Sequence, residues 1–193
     1  HHPGVVTLYD SGSTGDGQLY LIMEHLRGLE VGSALRRFGR ASSLQTARFL
    51  RLGASALQAA HEARVIHRDL KPQNPFLVPH LALGFELKVL DFGIAKTSDS
   101  GPHLTRTGLM MGTPQYMAPE QMLGAETDAR TDLFAFATVA YEVLTGKQVV
   151  SSDLVSDMLQ GKGQPSLRPP STLVDSLPPE VDVENKTILK ETI

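Results

Sequence analysis

The chain has 193 residues, 41% of them hydrophobic, and a formal net charge of −3. That is enough apolar material for one compact domain or a small lobe joined to a larger one, and it argues against a disordered chain. The charge leaves no global basic field to attract nucleic acid or lipid headgroups, and the absence of cysteine excludes a disulfide framework and thiolate metal sites.

In chain order, the opening "HHPGVV" has neither an initiator Met nor the basic and apolar parts of a signal peptide, which predicts a piece of a longer protein. "VVTLY" at 5–9 and "LYLIM" at 19–23 read as strands, with the Gly-, Ser- and Asp-rich "DSGSTGDGQ" as the turn between them. "EHLRG" at 24–28 is a short connector. Ser42 or Ser43 is placed to cap a helix whose apolar positions are Leu44, Ala47, Leu50, Ala54, Leu57 and Ala60. Short strands are expected at 76–78 and 87–90, then a long loop over 93–119, rich in Gly, Pro, Ser and Thr. Residues 131–145 form an expected helix, apolar nearly all round and stopped by Gly146. The most apolar run, 133–144, is too short to span a bilayer and contains Glu142. Beyond 165 the sequence is Pro-rich and expected to be irregular.

The polar groups cluster in "VIHRDLKPQN" at 65–74 and in "LDFG" at 90–93. Phosphoryl transfer needs a carboxylate for a hydroxyl, oxygen ligands for Mg²⁺ and a cation on the moving group. Asp69, the pair Asn74 and Asp91, and Lys71 supply these parts in that order. Taken singly, Asp69 and Lys71 would be an ordinary solvated pair, "DFG" a glycine turn, and Asp132 a cap for its own helix.

Together, "HRDLKPQN" at 67–74, "DFG" at 91–93 and "APE" at 118–120 resemble the signature set of the protein-kinase family. "GTPQYMAPEQ" and "DARTDLFAFATVAYEVLTG" look most like the bacterial Ser/Thr kinases of eukaryotic type. The resemblance covers about residues 2–146 and implies an α+β fold, a partial β-rich small lobe followed by a mostly helical large lobe. It implies a small-lobe remnant at 1–23, a hinge at 24–28, the large lobe at 29–165 and a divergent tail at 166–193. The implied activity is ATP-dependent phosphorylation of Ser/Thr hydroxyls on proteins, with ATP and Mg²⁺ as cofactors. Asp69 and Lys71 would be catalytic, and Asn74 and Asp91 would hold the metal. Met23, Glu24, Leu26, Glu30 and Phe76 would contact ATP. His67 and Phe92 would stack with Leu8, Asp132 would hold the His67–Arg68 turn, and Thr113 would sit beside Asp69 and Lys71. Thr105 and Thr107 are candidate phosphorylation sites. No nucleic-acid partner is expected, and the implied location is cytoplasmic, any membrane anchor lying outside this chain.

The sequence also departs from that pattern. No Gly-rich phosphate loop precedes the strands, and the family's strand Lys and helix Glu have no counterpart here. Glu120 lacks the late Arg that usually pairs with it, since no Arg follows Arg168. Pro75 follows Asn74 where a β-branched residue is common, and it removes a backbone donor. These departures predict a fragment inactive by itself, and they leave a non-catalytic kinase-like scaffold as the alternative.

Overall fold

The computed structural model describes residues 1–92, 113–149, 168–175 and 177. Strands β1 (Leu8–Ser13) and β2 (Leu19–Met23) form an antiparallel hairpin. A second antiparallel sheet has the order β3 (Leu29–Glu30), β4 (Pro75–His80), β5 (Gly84–Val89). The helices are α1 (Val31–Phe38), α2 (Ser43–Glu62), the short α3 (Pro119–Met122) and α4 (Ala129–Thr145).

The first strand lies later than the sequence suggests. Residues 5–6 instead lie against β5, where the Val6 N–H donates to the Val89 carbonyl at 3.1 Å. The strand runs on through the polar Asp10–Ser13, and the turn contracts to residues 14–17, where Gly17 has φ 85°. Every residue of β2 is exposed, so the hairpin has no buried face to enforce an apolar alternation, and polarity is a poor guide to its register.

Helix α2 starts from Ser42, not Ser43. The Ser42 Oγ accepts from the Gln45 N–H and the Gln45 Oε1 accepts from the Ser42 N–H, a reciprocal cap. Its buried stripe is Thr46, Phe49, Gly53, Ala56, Leu57 and Ala60. Leu44, at 82% exposure, Ala47, Leu50 and Ala54 therefore lie off the inward face that the apolar spacing assigned them, and only Leu57 and Ala60 of that set are buried. The stripe is fixed by α4. The Phe49 and Phe136 rings stack with centroids 5.1 Å apart, and a Cβ on Gly53 would collide with the Phe136 ring. Helix α4 is buried almost all round, as expected, and ends at Gly146 with φ 71°. Its cap is Asp128, which accepts from the Arg130 N–H at 2.8 Å, so Asp132 is free of that duty.

One core joins α2, α4 and β5 through Leu57, Leu70, Leu87, Val89 and Val139. Helix α1 escapes the apolar periodicity because it is only two turns long and carries Arg36 and Arg37 in its last turn, where they complement the helix dipole. Of the expected loop at 93–119, the described part contains a 3₁₀ turn at Pro114–Tyr116 and the start of α3. In the tail, a 3₁₀ turn at Pro170–Thr172 brings Val174 and Leu177 against Leu144. Pro75 is accommodated at the first position of β4, beyond the reach of the two-residue β3, so its missing N–H breaks no ladder bond to that neighbour.

Candidate active site

The loop between α2 and β4 carries the dense polar cluster, and a buried carboxylate on α4 fixes its path. Asp132, wholly buried, accepts from the His67 N–H through Oδ2 and from the Arg68 N–H through Oδ1, both at 2.8 Å. A third donor is the His61 Nε2 at 2.8 Å from Oδ2, a nitrogen that must carry hydrogen because a carboxylate only accepts. These bonds hold Arg68 at φ 64°, in the left-handed region that non-glycine residues rarely adopt. Asp91, at φ 56°, lies in the same region.

From the other side, the Gln121 Nε2 donates to the Arg68 carbonyl at 2.8 Å, while its Oε1 accepts from the Ala118 N–H at 3.1 Å. The strained residue is therefore gripped at both its N–H and its C=O. Thr113, Met117 and Gln121 line one small cleft with Asp69 and Lys71. In that cleft the Lys71 Nζ is 2.7 Å from the Asp69 Oδ2.

His67 ties this loop to the strand end after β5. Its Nε2–H donates to the Leu90 carbonyl at 2.8 Å, and its Nδ1 accepts from the Asp69 N–H at 3.3 Å. The bond accepted at Nδ1 requires a neutral ring, and burial lowers the imidazole pKa from its usual value, against the raising influence of the Leu90 carbonyl, Asp132 and Asp69. Phe92 packs on the ring at 5.0 Å. Leu8, expected in the same stack, is on β1 and 45% exposed.

Asn74 is buried, and its Oδ1 accepts from the Lys71 N–H at 3.1 Å. Its carbonyl accepts from the Leu90 N–H at 3.0 Å, which brings the end of β5 and the adjoining Asp91 to the side of Asn74. One amide oxygen and one carboxylate are hard donors suited to Mg²⁺, which keeps several waters and needs no all-protein cage. Among the described residues no group of three or more His, Cys, Asp or Glu side chains forms such a cage.

The expected nucleotide contacts follow the connector from the hairpin to α1. Met23 ends β2 and is partly exposed, and Leu26 is half-buried. The Glu24 N–H donates to the Thr7 carbonyl at 3.0 Å. The Glu24 carboxylate accepts from the Lys88 Nζ at 2.6 Å and the Thr7 N–H at 2.7 Å, and the Lys88 hydrogen bond, foremost, lowers its pKa. Glu30 pairs with Phe76 across β3 and β4, and its carboxylate makes no capping bond to α1. A Cβ on Gly28 would collide with the Leu77 carbonyl, so only glycine lets the connector pass this close to β4.

Glu120 finds its partner on α4, where the Thr131 Oγ1 donates to its Oε1 at 2.6 Å, and among the described residues it forms no ion pair with an arginine. Thr105 and Thr107 lie outside the described residues. Sequence reasoning missed His61, Lys88, Gln121 and Thr131. Only Gln121 had a signal, its place at the end of "GTPQYMAPEQ".

Among known proteins, serine/threonine-protein kinase pkn3 of Myxococcus xanthus is 42% identical over 156 residues, 79% of this chain and 28% of its own length. Serine/threonine-protein kinase PknA of Mycobacterium tuberculosis (strain ATCC 25177 / H37Ra) is 38% identical over 187 residues, 94% of this chain and 41% of its own. Serine/threonine-protein kinase PknB of Mycolicibacterium smegmatis is 33% identical over 186 residues, 94% of this chain and 29% of its own. The chain thus spans less than half the length of these relatives. The family described as the protein kinase domain matches residues 1–190. A match over almost the whole chain, joined to a catalytic-type loop closed on Asp132, means that the chain belongs to the protein kinase family.

Proposed function

We propose that the protein carrying this chain transfers the γ-phosphoryl group of ATP to Ser or Thr hydroxyls of protein substrates. The observation that carries the reading is the 2.7 Å contact of Lys71 with Asp69 in a cleft shared with Thr113. Asp69 takes the proton of the attacking hydroxyl. The oxygen–phosphorus bond forms as the bond from the γ-phosphorus to the bridging oxygen breaks, and ADP leaves. Lys71 balances the negative charge on the transferred group. Asn74 and Asp91 are the residues that would hold Mg²⁺, which when bound neutralises phosphate oxygens.

In the same reading Met23, Glu24, Leu26, Glu30 and Phe76 contact the nucleotide. Residues 1–23 belong to a small lobe, 24–28 to a hinge, 29–165 to the large lobe and 166–193 to a divergent tail. Thr105 and Thr107 take phosphate. The support for that last role is the Arg68 Nε, buried with no hydrogen-bond partner among the described residues, a cationic donor suited to an anion. We place the reaction in the cytoplasm, where ATP is supplied; among the described residues no helix is long and apolar enough to cross a membrane.

Calorimetric titration of the full-length protein with ATP and Mg²⁺ tests the division of roles. Asp69→Asn should leave nucleotide affinity nearly intact, and Asp91→Asn should weaken it. Equal losses in both variants would overturn the assignment.

A further inference from the structure

Away from the catalytic loop, a cavity of about 200 Å³ opens between α1, α2 and the second sheet. Its walls are Val31, Leu35, Phe49, Leu77, Phe85 and Val143, and its polar lining is confined to Arg40 and Gln45. Phe38, 68% exposed, is also part of the lining, and Leu44, 82% exposed, adjoins Gln45. Three arginines border the cavity, Arg40 in its lining and Arg37 and Arg48 over the lining residues Phe38 and Phe85, while Arg36 turns toward Ser33 and Gly32, and residues 31–61 hold no Asp or Glu. Among the described residues none of these arginines is in a salt bridge. Two of them lie over aromatic rings, Arg37 over Phe38 at 5.1 Å and Arg48 over Phe85 at 5.5 Å.

We propose that this cavity and its arginine rim are a docking site for an acidic peptide segment of a partner protein, one bulky apolar side chain filling the cavity while flanking carboxylates meet the arginines. Exposed aromatic and arginine side chains around an apolar pocket have the composition of an interface hot spot. A small polar ligand would need several polar groups converging inside the cavity, and only Arg40 and Gln45 are in its lining. A single anionic headgroup would use one cation, whereas this rim spreads its charge over Arg37, Arg40 and Arg48, from the end of α1 to the second turn of α2. A flat bilayer would leave a concave pocket unfilled. None of the lining residues is among the groups placed around Asp69 or the expected nucleotide contacts, although Val31 and Leu77 adjoin Glu30 and Phe76 in the chain, so docking there would hold a partner without occupying either set of groups.

The test uses the full-length protein and a short fluorescein-labelled peptide in which a Leu-Phe pair is flanked on both sides by Glu. Fluorescence anisotropy should show saturable binding that weakens with added salt. The double variant Arg37→Glu, Arg40→Glu should weaken it by about tenfold or more, and so should filling the cavity with Ala34→Phe. Both variants should bind ATP as the parent does, which separates loss of docking from loss of folding. A peptide with Lys for Glu, and one with Ser for the Leu-Phe pair, should not bind. Absence of binding by the parent, equal binding by the charge-reversed variant, equal binding of the Ser peptide, or binding to phosphatidylserine vesicles in place of the peptide would each overturn the proposal.

Discussion

Asp132 gathers three hydrogen bonds where there is no solvent to substitute for them, from His61 on α2 and from two successive N–H groups of the loop. The loop on its far side is closed by Gln121, whose amide uses both ends. Gln121→Glu keeps the acceptor for the Ala118 N–H and removes the donor to the Arg68 carbonyl. A net hydrogen bond of about 0.5–1.5 kcal/mol, felt at Asp69, should lower kcat roughly 2- to 10-fold with little change in the KM for ATP. Steady-state kinetics of the full-length variant checks this, and a rise in the ATP KM alone would point to another role. His67 gives a pH signature. Its folded pKa is depressed, so its contribution to stability is fully present above about pH 6.5, its ordinary value, and is lost as pH falls toward the folded value. Melting temperature should therefore decline as pH is lowered through that window, and the decline should be shallower in His67→Phe. The motif residues were legible because the chemistry needs those types at that spacing. Of their supports, Gln121 had only its place in a motif as a signal and His61 and Thr131 had none, because each is made a partner only by folding separate segments together.

Among elements, α2 shows how a correct helix can be given the wrong face. Its apolar residues allow more than one stripe, and the choice falls to Gly53, which admits the Phe136 ring of α4 where Leu44 or Leu50 could not pack. In Gly53→Ala the helix preference for Ala, about 1 kcal/mol, opposes the strain of a methyl group against that ring, about 1–3 kcal/mol. A net destabilisation of about 1–2 kcal/mol is expected when strain prevails, read as a lower denaturant midpoint. An unchanged or higher midpoint would show that the helices have room between them. Helix α4 was legible from residue 131 to its stop at Gly146, since a helix buried almost all round needs no choice of face, but its start at Ala129 and its Asp128 cap were not. The hairpin β1–β2 was legible as two strands but not in register, because its side chains are exposed on both sides and the backbone ladder carries no sequence signal.

At the scale of the molecule, the three polar centres depend on one frame. The α4 helix holds the catalytic-type loop, the end of β5 sets Asp91 beside Asn74, and the connector past Gly28 carries the expected nucleotide contacts to α1. On the proposed reading, this frame orders the groups that phosphoryl transfer would use before any substrate arrives, which is where most catalysis of that reaction class comes from. The most direct measurement is transfer of labelled phosphate from ATP, with Mg²⁺, to a Ser/Thr-containing protein by the full-length protein and by its Asp69→Asn variant. The account predicts label on Ser or Thr, and a loss of about 10²–10⁴-fold in the variant with nucleotide affinity retained. Undiminished transfer by Asp69→Asn, or no transfer by a full-length protein that binds ATP and Mg²⁺ normally, would contradict it.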